Sequence, residues 1–156
     1  MKVQPVSPDP RHAALLQGAD FADAYRIDAV DPQLDAFTVA RRATQPLPWV
    51  AALLALRNLL VSPFGLKHGR EPLPESMTRL GIFPVLSEAP DRVVLGIDDR
   101  HLDFRLVIEA PGTGEVTGTT LVRTHNRLGR AYLCLVLPFH RLIVPRMMRQ
   151  IGVKKA

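Results

Sequence analysis

Three polar side chains, His101, Asp103 and Arg105, alternate along one segment of the chain. Residues two apart in a strand point to the same side of the sheet, so these three would share a face. A carboxylate beside a histidine can orient the imidazole for proton transfer, and an arginine can bind a carboxylate through two hydrogen bonds. Alternating charges are also typical of the solvated face of an antiparallel sheet, and we favour this structural interpretation.

A second candidate is the pair His140–Arg141, which lies where an apolar stretch of sequence becomes basic. Because imidazole titrates near neutral pH, His140 could exchange a proton or bind an anionic group. It could also satisfy backbone carbonyls that Pro138 and Pro145 leave without a donor, or lie on the exposed side of a helix. The structural interpretations are favoured here as well.

The sequence contains no established catalytic or metal-binding motif. Its five histidines are scattered singly, and no CxxC, GxGxxG, P-loop or GxSxG element occurs. Cys134 has apolar neighbours on both sides and is expected to pack as a small hydrophobic residue. We therefore expect no metal and no cofactor, and the catalytic residues of any reaction are unknown.

The composition is that of a globular protein, with 47% apolar and 22% charged residues in a chain of 156. This length suits a single domain over residues 1–156, in which the proline-containing segment 1–14 is expected to form a loose arm. A single cysteine cannot form an internal disulfide, and the first ten residues lack the apolar run of a signal peptide. These features predict a cytoplasmic protein.

Positive charge is concentrated at the C-terminal end, where eight basic residues and no acidic residue follow position 122. Cations near a helix C-terminus complement its dipole, although they could also attract nucleic acid or an anionic membrane surface. The arginines are spread around a helix, so we expect no specific nucleic-acid binding. The apolar stretches 46–61 and 131–144 are shorter than the roughly 20 residues of a transmembrane helix, so no membrane span is expected.

The hydrophobic periodicity changes along the chain. It predicts a strand at 19–27, a helix at 31–43 capped by Asp31, a second helix from Trp49, and strands at 82–88, 92–98, 102–110 and 115–125. Spacings of three and four then predict a long helix over 127–153. In the strand at 102–110, Phe104 and its apolar neighbours should face this helix, while Asp103 and Arg105 face away.

Several stretches are similar to known families: 19–25, 49–67, 128–132 and 138–144. Together they resemble a family known only as a domain of unknown function, and the order of elements resembles the helix-grip fold of START-like and polyketide-cyclase-like proteins. The resemblance covers residues 15–150. It implies an α+β fold, in which a curved antiparallel sheet carries two short helices and a long C-terminal helix packed across it.

The resemblance also implies an apolar space between the sheet and the last helix, which could bind a small apolar molecule or a lipid. Trp49, Phe104, Leu106, Tyr132 and His140 are the candidate ligand-binding residues, although Trp49 and Tyr132 also suit ordinary core packing. Two alternatives remain open. The same cavity could serve an enzyme of the cyclase, dehydratase or hydrolase type, or the domain could be a structural or interaction module without ligand. A monomer and a homodimer are both compatible with the sequence.

Overall fold

The computed structural model describes residues 2–28, 30–64 and 72–152. Within these residues, seven strands form one antiparallel sheet, and three α-helices accompany it. The strands are β1 (Val3–Val6), β2 (Phe21–Ile27), β3 (Arg79–Leu80), β4 (Phe83–Ala89), β5 (Arg92–Asp98), β6 (Leu102–Glu109) and β7 (Val116–Thr124). The helices are α1 (Ala36–Ala43), α2 (Pro48–Val61) and α3 (Arg127–Ile151), and short 3₁₀ helices occupy Pro10–Leu15 and Ser62–Phe64.

The sheet is curved and open, with strand order β1-β2-β7-β6-β5-β4-β3. Strands β3 to β7 follow one another as a meander, and β2 joins its free edge by pairing with β7. The helix α3 packs across this sheet, which confirms the predicted α+β architecture. The predicted strand at 92–98 coincides with β5, whereas β4, β6 and β7 begin or end one residue away from their predicted positions.

The core lies between the sheet and helices α1 and α3. Alternate residues of the strands supply it, among them Ile27, Leu95, Ile108 and Val116, all essentially inaccessible to solvent. Phe104 and Leu106 belong to the same face and Asp103 and Arg105 to the other, as the alternation of β6 predicts.

The opposite face of the sheet is also covered. His12, in the first 3₁₀ helix, is buried with Nε2 at 3.2 Å from a carboxylate oxygen of Glu109, and Val107 and Thr119 are inaccessible. The expectation of a loose arm over residues 1–14 is therefore wrong: β1 pairs with β2 and the following turn packs on the sheet. Pro5 is compatible with β1 because this is an edge strand, where a missing N–H is tolerated.

Helix α1 begins later than predicted. Its N-cap is Asp35, whose carboxylate accepts a hydrogen bond from the Thr38 N–H at 2.7 Å. Asp31 instead accepts from the Gln33 N–H at 3.0 Å, and so closes a local turn. Both aspartates precede apolar residues, but the backbone turns between them before the helix begins.

Helix α2 presents several apolar side chains to solvent. It is strongly apolar, yet Leu56 and Leu59 are exposed. Trp49 in its first turn is also exposed. Val50, in contrast, is buried.

Helix α3 continues through Pro138 and Pro145 for 25 residues. By length and composition, α3 would suffice to cross a membrane. The expectation of no membrane span was based on the shorter apolar stretch 131–144 alone. One helix of this kind is weak evidence for a span, because core helices of soluble proteins can share these properties. Here α3 packs against α1, β1, β2 and β7.

Candidate functional site

The C-terminal part of α3 is anchored in the core. Met148 and Ile151 are buried there. Beneath them the sheet carries Gly118, and a Cβ added to this glycine would lie 3.0 Å from the Met148 sulfur. The missing side chain at position 118 therefore allows α3 to approach β7 closely.

The N-terminal part of α3 is anchored as well. Asn126 caps the helix by accepting a hydrogen bond from the Gly129 N–H at 2.9 Å. A Cβ on Gly129 would fall well inside 3.0 Å of the backbone carbonyl oxygen of His101, closer than real Cβ atoms come. The same carbonyl accepts a hydrogen bond from the His125 N–H at 2.9 Å. The first turn of α3 is thus fixed against the start of β6.

Between these two anchors α3 is less deeply buried. In the stretch 130–147 none of its residues is fully buried. A groove of about 230 Å³ lies beneath this stretch, between the helix and strands β2, β4, β6 and β7. Its walls are mainly apolar, and the residues are Phe21, Ile82, Phe83, Leu102, Phe104, Leu106, Thr120, Val122, Tyr132, Leu133, Val136, Leu137, His140, Ile143, Val144 and Met147.

Three polar side chains, Thr120, Tyr132 and His140, border the groove. His140 is paired: its Nε2 lies 3.0 Å from both carboxylate oxygens of Asp23 on β2. Both side chains are mostly shielded from solvent, and the ring of Phe21 meets the imidazole edge-on at a centroid distance of 5.9 Å. A carboxylate at Nε2 fixes the ring and favours a proton on that nitrogen, so neutral His140 offers Nδ1 as an acceptor.

Four of the five candidate residues, Phe104, Leu106, Tyr132 and His140, line this groove, and Trp49 does not. Phe104 stacks on Phe83 of β4 at a centroid distance of 5.3 Å. Trp49 lies in the first turn of α2 and is not among the residues that line the groove.

Asp23 was not among the predicted site residues. It alternates with Phe21, Tyr25 and Ile27 in β2, and this pattern places its carboxylate on the face that meets α3. The sequence feature that could have identified Asp23 was therefore a single acidic residue on an otherwise apolar strand face. Thr120 is its cross-strand partner on β7, so two polar groups lie side by side beneath His140.

The other candidate cluster, formed by His101, Asp103 and Arg105, has a structural role. Asp103 and His101 are buried, so the expectation that they lie on a solvated face is wrong. The Asp103 carboxylate accepts a hydrogen bond from Arg123 at 2.8 Å and pairs with His125 Nε2 at 3.0 Å, while Arg105 pairs with Asp98 at 2.7 Å. Burial alone raises the pKa of Asp103, but His125 and Arg123 outweigh it and hold the pKa below its usual range.

Within the described part of the chain, no group of three or more His, Cys, Asp or Glu side chains is arranged to hold a metal ion. Cys134, which we expected to pack in the interior, is exposed on the outer side of α3. The neighbouring Leu133 faces the groove instead.

The fold and the groove define an α+β protein in which a long helix, anchored at both ends, bridges an apolar recess on an antiparallel sheet. A family model described as a protein of unknown function (DUF2867) matches residues 15–147, and the chain belongs to this family. No curated protein and no solved structure matches it. The likeness to START-like proteins is therefore supported by no relative or structural neighbour.

Proposed function

We propose that the protein binds a small, mainly apolar molecule in the groove between α3 and the sheet. The observation that carries this proposal is the groove of about 230 Å³ with its predominantly apolar lining. An apolar cavity of about 150 Å³ is large enough to bind benzene. The groove therefore has room for a small bicyclic ring system or a short branched chain, held mainly by burial of apolar surface.

The polar groups of the groove would orient such a ligand. Tyr132 and His140 are eight residues apart on α3, which corresponds to about 12 Å along the helix axis. His140, with Nε2 directed at Asp23, can accept a hydrogen bond from a ligand hydroxyl through Nδ1. We therefore favour an apolar body that carries a hydroxyl group near His140, since an ionised carboxyl group could not donate to Nδ1, with Phe104 and Leu106 contacting its apolar part.

A thermal-shift titration tests this proposal with three defined probes: decanoic acid, farnesol and 1-naphthol. We expect saturable stabilisation by at least one of them, because a ligand that binds only the folded state raises its stability. Tyr132→Phe or His140→Ala should weaken the effect. The proposal is wrong if none of the probes gives saturable stabilisation, or if the response is the same when the groove is filled by Val136→Phe.

The His140–Asp23 pair favours a second candidate, an enzyme acting in the same groove. A histidine oriented by a carboxylate can serve as a general base, with Nδ1 taking a proton from the bound molecule. This chemistry would suit a cyclase, dehydratase or hydrolase type of reaction on an apolar substrate. Mass spectrometry of the bound probe after incubation would distinguish the two: a changed mass that is lost in Asp23→Asn, while binding persists, indicates an enzyme.

A further inference from the structure

The outer side of α3, turned away from the groove, is an exposed apolar surface. Leu135 is 58% exposed, Leu142 52% and Phe139 46%, and Pro138 lies between them. Their spacings of three and four along the helix place them in one stripe. We call Leu135, Pro138, Phe139 and Leu142 the outer stripe. Isolated exposed leucines are ordinary, but a contiguous stripe of this kind marks an interaction surface.

Exposed arginines border the outer stripe at both ends. Arg127 and Arg130 precede it, and Arg141, Arg146 and Arg149 accompany or follow its last turn. Helix α3 contains no acidic residue. The surface is therefore apolar along its middle and positively charged at its edges.

The apolar middle of the outer stripe also discriminates between partners. Partners that need only a charged patch, such as duplex DNA, would gain nothing from its exposed leucine and phenylalanine side chains.

We infer that the outer stripe is a docking surface for an anionic lipid bilayer, with α3 lying in the plane of the membrane surface. A helix with an apolar stripe and flanking arginines inserts its apolar side among the lipid chains while the guanidinium groups contact anionic headgroups. The groove is on the other side of α3, so this inference does not depend on whether the groove binds a ligand.

Charge argues against a second copy of the chain as the occupant. A symmetric dimer through this surface would bring the same face of two α3 helices together. At about 100° per residue, Arg127, Arg146 and Arg149 lie on or next to this face, and α3 contains no acidic residue, so like charges would meet. Anionic headgroups supply the opposite charge.

The contacts of α3 also argue against a crossing of the membrane. Met148 and Ile151 are buried in the core, and His140 is paired with Asp23 on β2. A spanning helix would have to leave these partners, and would carry Arg141 into the hydrocarbon region, where a charge is costly. Docking on the surface leaves every one of these contacts in place.

Co-sedimentation of the full chain with lipid vesicles tests the inference. We compare vesicles of phosphatidylcholine alone with vesicles containing 30 mol% phosphatidylglycerol, at low salt and at high salt. We expect binding to the anionic vesicles that is at least about tenfold tighter than to the neutral ones and that weakens with salt. The double variant Arg141→Gln/Arg146→Gln should reduce the affinity about 30-fold, since each cation contributes about fivefold.

The apolar part of the surface is tested by Leu135→Ser/Phe139→Ser, which should also weaken vesicle binding by more than tenfold. The matched controls are Leu86→Ser on β4, where the leucine is 43% exposed, and Arg100→Gln in an exposed turn. Both controls should bind like the unmodified chain, and circular dichroism verifies that each variant is folded.

Three results would overturn the inference. The first is the absence of binding to anionic vesicles, and the second is equal binding to both vesicle types. The third is a dimer in light scattering that Leu135→Ser/Phe139→Ser converts to a monomer, because the outer stripe would then be covered by a second copy.

Discussion

Replacement of Gly129 by alanine tests whether the first turn of α3 is fixed against β6. At an unconstrained helix position, alanine is more favourable than glycine by about 0.8–1.0 kcal/mol. At Gly129 the added Cβ would collide with the His101 carbonyl oxygen, a backbone atom that cannot rotate away. The helix end or the start of β6 must shift to accommodate it.

The expected net effect is a loss of stability. Overpacking of this kind typically costs about 1–3 kcal/mol. A shift of the His101 carbonyl also weakens its hydrogen bond from the His125 N–H, for which about 0.5–1.5 kcal/mol is typical. After the helical preference of alanine is subtracted, Gly129→Ala should lower the free energy of unfolding by about 1–3 kcal/mol.

Urea denaturation followed by circular dichroism measures this change, with Ala131→Gly as the matched control. Ala131 is exposed two residues further along the same turn, so its replacement reports the intrinsic glycine–alanine difference alone. In Ala131→Gly the free energy of unfolding should fall by about 0.8–1.0 kcal/mol. The reasoning is refuted if Gly129→Ala raises stability by the amount that Ala131→Gly lowers it, because the helix end would then be free.

The remaining predictions concern the core, a helix cap and a buried carboxylate. Leu95→Ala should lower the free energy of unfolding by about 2–5 kcal/mol in the same urea assay, and a loss below 1 kcal/mol would contradict the placement of this inaccessible side chain in the core. Asp35→Ala should cost about 1 kcal/mol by removing the cap of α1, whereas Asp31→Ala should cost less. Because the pKa of Asp103 is lowered in the folded state, its ionised carboxylate stabilises the fold. This contribution is complete at pH values above the usual carboxyl pKa range. It is lost as the pH falls through the lowered pKa. The stability difference between the unmodified chain and Asp103→Asn should therefore be largest near neutral pH and shrink below about pH 4, and a difference that grows on acidification would contradict the assignment.

The periodicity of the sequence predicts the sheet well because each central strand buries alternate side chains. Strand β5 is found where it was predicted, and β6 presents Phe104 to the helix side. Local signals predict the helix starts less well. Asp31 and Asp35 both look like N-caps, and only the geometry of the intervening turn decides between them.

The candidate site could be predicted only in part. The alternation of β6 predicted that Phe104 and Leu106 face the helix, whereas Tyr132 and His140 were candidates through the resemblance, and all four line the groove. Trp49 does not line the groove. The position of α2, which carries Trp49, depends on tertiary packing that the uniformly apolar sequence of this helix does not specify. Asp23 lies 117 residues from its partner His140, so no local spacing links them.

The central claim, that the groove beneath α3 binds an apolar molecule, is tested most directly by calorimetric titration of a matched pair of variants. Val136 lines the groove, whereas the adjacent Leu135 is exposed on the outer side of the helix, so Val136→Phe fills the groove and Leu135→Phe does not. We titrate decanoic acid, farnesol and 1-naphthol into both variants and into the unmodified chain. The account predicts that at least one probe binds once per chain, that Leu135→Phe binds it equally well, and that Val136→Phe loses binding. Equal binding by the two variants, or no saturable binding by the unmodified chain, would contradict it.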